Sequence, residues 1–212
     1  MRPLPSCPFV FSAILATLLL GCKGHGGSGA PDDWDGKSPL LCGGHQTLSL
    51  KGKTVQMSTG PAIILGGDCV ATLESCIIHA PIGVSVGGNA HATLKNVQIE
   101  SGTTMQPVSM ASAGTDPTML AVAAEQMVVK PGTPYFAAGN GELTIEGGHA
   151  SGKLALYASG NAKVTVNGGT LTGTEHAIDA NGGAVVHAQG AKVEGAVQHR
   201  GSSKVTGVPG GT

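Results

Sequence analysis

Asn140-Gly141-Glu142-Leu143-Thr144-Ile145-Glu146-Gly147-Gly148 returns 21 residues later as Asn161-Ala162-Lys163-Val164-Thr165-Val166-Asn167-Gly168-Gly169. A third copy, Gly183-Ala184-Val185-Val186-His187-Ala188-Gln189-Gly190, follows 22 residues on, and Ser203-Lys204-Val205-Thr206-Gly207 is a frayed last one. Upstream, Ala71-Thr72-Leu73-Glu74-Ser75 recurs as Ala92-Thr93-Leu94-Lys95-Asn96, and Gln46-Thr47-Leu48-Ser49-Leu50-Lys51-Gly52 reads as the first copy. Each copy alternates apolar and polar residues and closes on Gly, Asn or Ser. That is the pattern of a short strand with one buried face, followed by a tight turn. A softer motif recurs between the copies: Ala62-Ile63-Ile64, Ile82-Gly83-Val84, Leu154-Ala155-Leu156 and Ala177-Ile178-Asp179. A unit this short cannot bury its apolar face alone, so the copies must stack into a continuous solenoid. In that stack Val164 lies over Leu143, and Val166 over Ile145.

Composition agrees. Of 212 residues 35 are Gly, only 12% are charged and only 3% are aromatic, so the core must come from Val, Ile, Leu, Ala and Thr. Glycine shows no three-residue period, which excludes collagen. Lys plus Arg is 12 against 13 Asp plus Glu, and Arg occurs only at Arg2 and Arg200. A nucleic-acid binder would carry a basic stripe, so no nucleic-acid partner is expected. A rung of roughly 21 residues with two or three strands resembles the right-handed parallel β-helix of the pectin-lyase-like superfamily. The Leu-x-x-Leu-x-Leu-x-x-Asn pattern of leucine-rich repeats is missing from every rung. The expected fold is therefore all-β, a right-handed parallel β-helix over 41–207.

Two stretches fall outside the repeat. Between about 103 and 133 the columns fail. Asp116-Pro117 ahead of an Ala-rich run reads as a helix N-cap and first turn, so this is an irregular insertion with a helix start. Met105, Met110, Met119 and Met127 fall in it and form a candidate contact surface, with packing against the body's side as the plainer reading. At the N-terminus, Arg2 precedes an apolar run from Phe9 to Leu20, too short to span a bilayer. It ends in Leu19-Leu20-Gly21-Cys22, which resembles the bacterial lipoprotein signal. The resemblance implies that residues 1–21 are a signal peptide, that Cys22 carries the lipid, and that Lys23 favours the outer membrane. Residues 22–40 then read as a Gly/Pro/Asp tether, with Trp34 either docked on the body or free, and 208–212 as a tail.

Cys42, Cys69 and Cys76 remain in the exported body, where disulfides form. An extended 70–75 keeps Cys69 and Cys76 on the order of 20 Å apart, so Cys42 is the better partner for Cys69 and Cys76 is a buried thiol. No Cys-x-x-Cys occurs and the histidines do not stack, so neither a metal nor another cofactor is expected.

Enzymes of the superfamily carry acidic calcium ligands with a basic residue, or Asn-Thr-Asp, Asp-Asp, Gly-His-Gly and Arg-Ile-Lys. Here Gly24-His25-Gly26 and Asp32-Asp33 sit in the tether, and the other two motifs are missing. Glu142/Lys163 and Glu146/Asn167 make no convergent carboxylate pair. His79 and Glu100 fall in register on adjacent rungs, as a site pair or a surface contact. Thr72 over Thr93 and Thr144 over Thr165 stack, but paired Thr rows of an ice-binding face do not persist. The expectation is a lipid-anchored structural or binding module of the bacterial envelope, without catalysis, meeting the membrane through Cys22 and an envelope protein or polysaccharide through its body. The alternative is a polysaccharide lyase or hydrolase.

Overall fold

The computed structural model describes residues 34–102 and 131–208. Cys22, Asp32-Asp33, the Met105–Met127 stretch and the helix start at Asp116 lie outside the described residues. The described chain is all β, a parallel solenoid of about 6 turns, and contains no helix. Three strand positions repeat around each turn. The first face holds β2 (Thr47–Lys51), β5 (Val70–Glu74), β8 (His91–Lys95), β11 (Glu142–Glu146), β13 (Lys163–Asn167), β15 (Val185–Gln189) and β18 (Lys204–Thr206). The second holds β3 (Thr54–Gln56), β6 (Ile77–His79), β9 (Gln98–Glu100), the first halves of β12 (His149–Ala158) and β14 (Thr170–Ala180), and β16 (Lys192–Glu194). The third holds β1 (Leu40–Cys42), β4 (Pro61–Leu65), β7 (Ile82–Val86), β10 (Thr133–Ala137), the second halves of β12 and β14, and β17 (Val197–His199).

The repeats seen in the sequence are the first face. Leu143 pairs in register with Val164, and Ile145 with Val166. The softer motif is the third face. Along the first face the step is 23, 21, 51, 21, 22 and 19 residues, from Thr47 through Val70, His91, Glu142, Lys163 and Val185 to Lys204. The long step contains the insertion. In the second turn only Ala80 and Pro81 join β6 to β7, whereas residues 101–132 join β9 to β10 in the third. The flanking strands nevertheless pair as if the excursion were not there: β10 lies between β7 and β12, and β11 between β8 and β13.

Alternate residues of the first face point inward and form columns. Leu50, Leu73, Leu94, Ile145, Val166 and Ala188 are each no more than 2% exposed. The second face contributes one inward residue per turn, among them Val55, Ile78, Ile99, Ala150 and Leu171, all buried. Full burial of a Leu, Ile or Val is worth about 1.5–3 kcal/mol, so this shared core is the main stabilising term. Outward residues meet their rung neighbours as ion pairs, Lys51–Glu74 at 3.0 Å and Glu142–Lys163 at 3.0 Å. The Lys163 ammonium holds the Glu142 carboxyl below the usual range. Both pairs are solvent-exposed and contribute little.

The corner leading back to the first face shows why glycine is needed. Gly67 has φ +63°, and a Cβ there would lie 2.7 Å from the Gly44 nitrogen one turn away. Only glycine takes this left-handed turn and also lets the turns approach. Beside it runs a side-chain ladder: Asn89 Nδ2 donates to Asp68 Oδ1 at 3.2 Å, Asn140 to Asn89 at 3.2 Å and Asn161 to Asn140 at 3.4 Å. At the N-terminal end Trp34 packs partly buried against the core, and its Nε1 donates to the Ser38 carbonyl at 2.9 Å. Cys42 and Cys69 form a disulfide with Cα atoms 5.9 Å apart, tying the first half-turn to the next. Cys76 is a buried free thiol.

Val166→Asp places an unpaired charge in a sealed apolar column and is expected to cost on the order of 4 kcal/mol or more. Thr165→Asp, one residue along and on the outer surface, is expected to cost under about 1 kcal/mol. Denaturant melts of the two variants check this, and equal losses would invert the inside and outside assignment. The disulfide closes a loop of separation 27. Loop entropy alone sets its contribution at about 3.5 kcal/mol. Non-reducing peptide mapping should recover Cys42 linked to Cys69 and Cys76 free, and Cys42→Ala with Cys69→Ala should lower the melting midpoint without loss of β signal.

Candidate functional groove at the second corner

Each strand of the second face ends on an outward polar residue, and the chain then turns onto the third face. On the first five turns these residues are Gln56, His79, Glu100, Ser151 and Thr172, and Glu194 follows on the sixth. The strand pairing places each over the next. Together with the corner residues that follow them the first five line a groove of about 620 Å³. Adjacent turns lie about 4.8 Å apart, so the groove spans about 19 Å along the solenoid axis. The corner needs small residues. A Cβ on Gly152 would come within 2.4 Å of the Gly132 carbonyl oxygen.

His79 Nδ1 lies 3.3 Å from Glu100 Oε2, so the structure brings together the pair that the repeat interval aligned. Both side chains are open to solvent, 45% and 65% exposed, which keeps the pair weak and its atoms within reach of a ligand. Ser101 follows Glu100 into the corner. Its backbone N–H donates to the Ser151 carbonyl at 2.9 Å, while its hydroxyl is buried without a hydrogen-bond partner. Lys153 reaches Glu175 at 3.5 Å. Past the groove, Thr172 Oγ1 donates to Glu194 Oε2 at 2.9 Å, and Lys192 Nζ stands 2.6 Å from Glu194 Oε1. The Lys192 ammonium first, and then the Thr172 hydroxyl, hold the Glu194 carboxyl below its usual range.

Glu142 meets Lys163 and also His91, whose Nδ1 lies 3.0 Å from Glu142 Oε2. Glu146 lies in register with Asn167 on one side and 3.7 Å from Lys95 Nζ on the other. Arg200 is joined to Asp179 at 2.7 Å, a pairing that sequence reading did not identify, although its separation of 21 matches the rung. The threonine row runs farther than its two separate pairs suggest. Ser49, Thr72, Thr93, Thr144 and Thr165 form one outward column on the first face. It remains a single column flanked by the charged His91–Glu142–Lys163 row, unlike a flat field of threonines. The groove was missed because three-residue strands carry too little alternation to be recognised. The 21-residue offset between His79 and Glu100 was the one available signal.

Among the described residues no three His, Cys, Asp or Glu side chains converge as a metal site, and no helix is long and apolar enough to cross a membrane. No family model, no curated protein and no solved structure matches this chain.

Proposed function

We propose that the protein is a lipid-anchored, non-catalytic binding module of the bacterial envelope that holds an extended polar polymer, a polysaccharide, along the second corner. The supporting observation is the groove itself: successive turns each present one outward polar side chain, at strand spacing, over about 19 Å. A regular array of hydrogen-bonding groups suits a chain whose own polar groups repeat. The atoms open to such a chain include the His79 and Glu100 side chains, which are 45% and 65% exposed on the groove.

The rival reading is a lyase or hydrolase acting on the same polymer. Glycosidic hydrolysis commonly uses two carboxyl groups flanking one bond. The groove lining carries one carboxylate, Glu100, already beside His79. That favours holding over cutting.

The anchor is part of the proposal. Cys22, at the end of the apolar run, would carry the lipid, since stable anchoring takes more than one acyl chain at about 0.8 kcal/mol per buried methylene. Lys23 beside it favours the outer membrane. The tether then spaces the solenoid from the bilayer.

Glycan-array binding by the lipid-free protein, run beside a chain-shortening assay, tests the body. Retention of a polysaccharide class without shortening is expected, with Glu100→Ala and His79→Ala each weakening it about tenfold, a loss of about 1.4 kcal/mol. Appearance of shortened or unsaturated products would replace this reading with the enzymatic one. The anchor is tested separately: Cys22→Ser should abolish partition into detergent and release the body from membranes, and unchanged membrane fractionation would contradict it.

A further inference from the structure

The polar side chains along the second corner are mostly uncharged. Gln56, Ser58, Ser151, Thr172 and Thr174 line the groove with amide and hydroxyl groups, which both donate and accept hydrogen bonds. Charged groups are few, and they are already answered. Among the described lining residues Lys153 is the only ammonium, and its Nζ lies 3.5 Å from Oε1 of Glu175, the residue that follows Thr174. Glu100 is the only carboxylate in the lining, and its partner is the His79 ring, which is charged only when protonated. With that ring neutral, Lys153 set against Glu100 and Glu175 leaves one negative charge on the corner. Past the groove Lys192 and Glu194 neutralise each other at 2.6 Å. No arginine lines the groove. Arg200 is the one arginine of the described chain, and its Nη2 donates to Asp179 Oδ2 at 2.7 Å on the third face.

We propose that the groove selects an uncharged glycan, a chain whose polar groups are hydroxyls, and turns away polymers that carry uronate, sulfate or phosphate groups. This inference rests on the polysaccharide-holding role and adds the charge class of the ligand. A sugar hydroxyl both donates and accepts, so it can pair with a Gln, Ser or Thr side chain in either sense. A carboxylate or sulfate only accepts. Proteins hold such groups with the fork of an arginine or the ammonium of a lysine. The corner offers no fork. Drawing Lys153 onto an anionic ligand would take it from Glu175 and leave that carboxylate uncompensated beside the newcomer. Glu100 acts in the same direction. It is the third of the five end residues, so every turn of the groove lies within two steps of it, about 10 Å and about one Debye length at 0.1 M salt. A polyanion laid along the groove passes over this exposed carboxylate, and like charges brought together are an effective means of excluding a wrong partner.

The test presents the immobilised full chain with neutral glucans and galactans, and with polygalacturonate and alginate. The two uronates are offered both intact and after reduction of their carboxyl groups to primary alcohols, which changes the charge and keeps the chain. A neutral or reduced polymer is expected to be held at least about tenfold more tightly than an intact uronate. Glu100→Gln should narrow that ratio about fivefold, Lys153→Gln should widen it, and Thr165→Glu on the first face should leave it unmoved. Raising the salt to about 1 M, where the Debye length is about 3 Å, should leave neutral retention within about twofold and narrow the ratio. Equal or tighter retention of an intact uronate would overturn the selectivity and leave the polysaccharide-holding role standing. A ratio that Glu100→Gln does not move would overturn it as well. Retention of neither kind of polymer would overturn both.

Discussion

Everything in this molecule depends on one turn lying in register over the next. Hydrogen bonds between parallel strands join turn to turn, and inward residues meet only because the register holds. A slip of one residue would turn Leu73, Leu94 and Ile145 outward and bring Thr72, Thr93 and Thr144 in. The stacked glycines at the corner and the Asp68–Asn89–Asn140–Asn161 ladder enforce the register where the strands do not. In the first described turn, Trp34 packs against the core and the Cys42–Cys69 bridge ties the strands together.

Legibility from the sequence followed strand length. All but the last strand of the first face have five residues with two inward positions each, so its copies are plain in the sequence, as in Leu143-Thr144-Ile145 and Val164-Thr165-Val166. The second face has three-residue strands with one inward position, as in Gln98-Ile99-Glu100, and no period can be read from three residues. The groove was therefore invisible, apart from His79 and Glu100. The step from Thr93 to Thr144 was hidden for a different reason. The 51-residue interval includes a whole excursion, and a repeat search at 21 cannot cross it. On the third face outward residues are as apolar as inward ones, which erased the alternation and left only a soft motif.

The groove and the excursion share a corner. A solenoid tolerates a long insertion there because each turn contacts only its neighbours, and β7, β10 and β12 still meet. The cluster of rings is explained by the same placement. Apart from Trp34, every aromatic side chain of the described chain, Tyr135, Phe136 and Tyr157, sits on the third face beside the corner. Tyr135 points inward and its burial pushes the phenol's pKa up, while the other two stack outside. The outer side of the third face is largely buried around Phe136, and the adjacent corner stays open and polar, as the proposed polymer-holding role requires.

The most direct measurement of the stacked register is a cross-link across the excursion. Thr93 and Thr144 are register partners on adjacent turns, and their Cα atoms should lie about 4.8 Å apart, within disulfide reach. A chain carrying Thr93→Cys and Thr144→Cys should link quantitatively under mild oxidation and melt with its β signal intact. Thr93→Cys with Thr165→Cys, two turns apart, should not link. Failure of the first pair, or linkage of the second, would contradict the register on which both the fold and the groove rest.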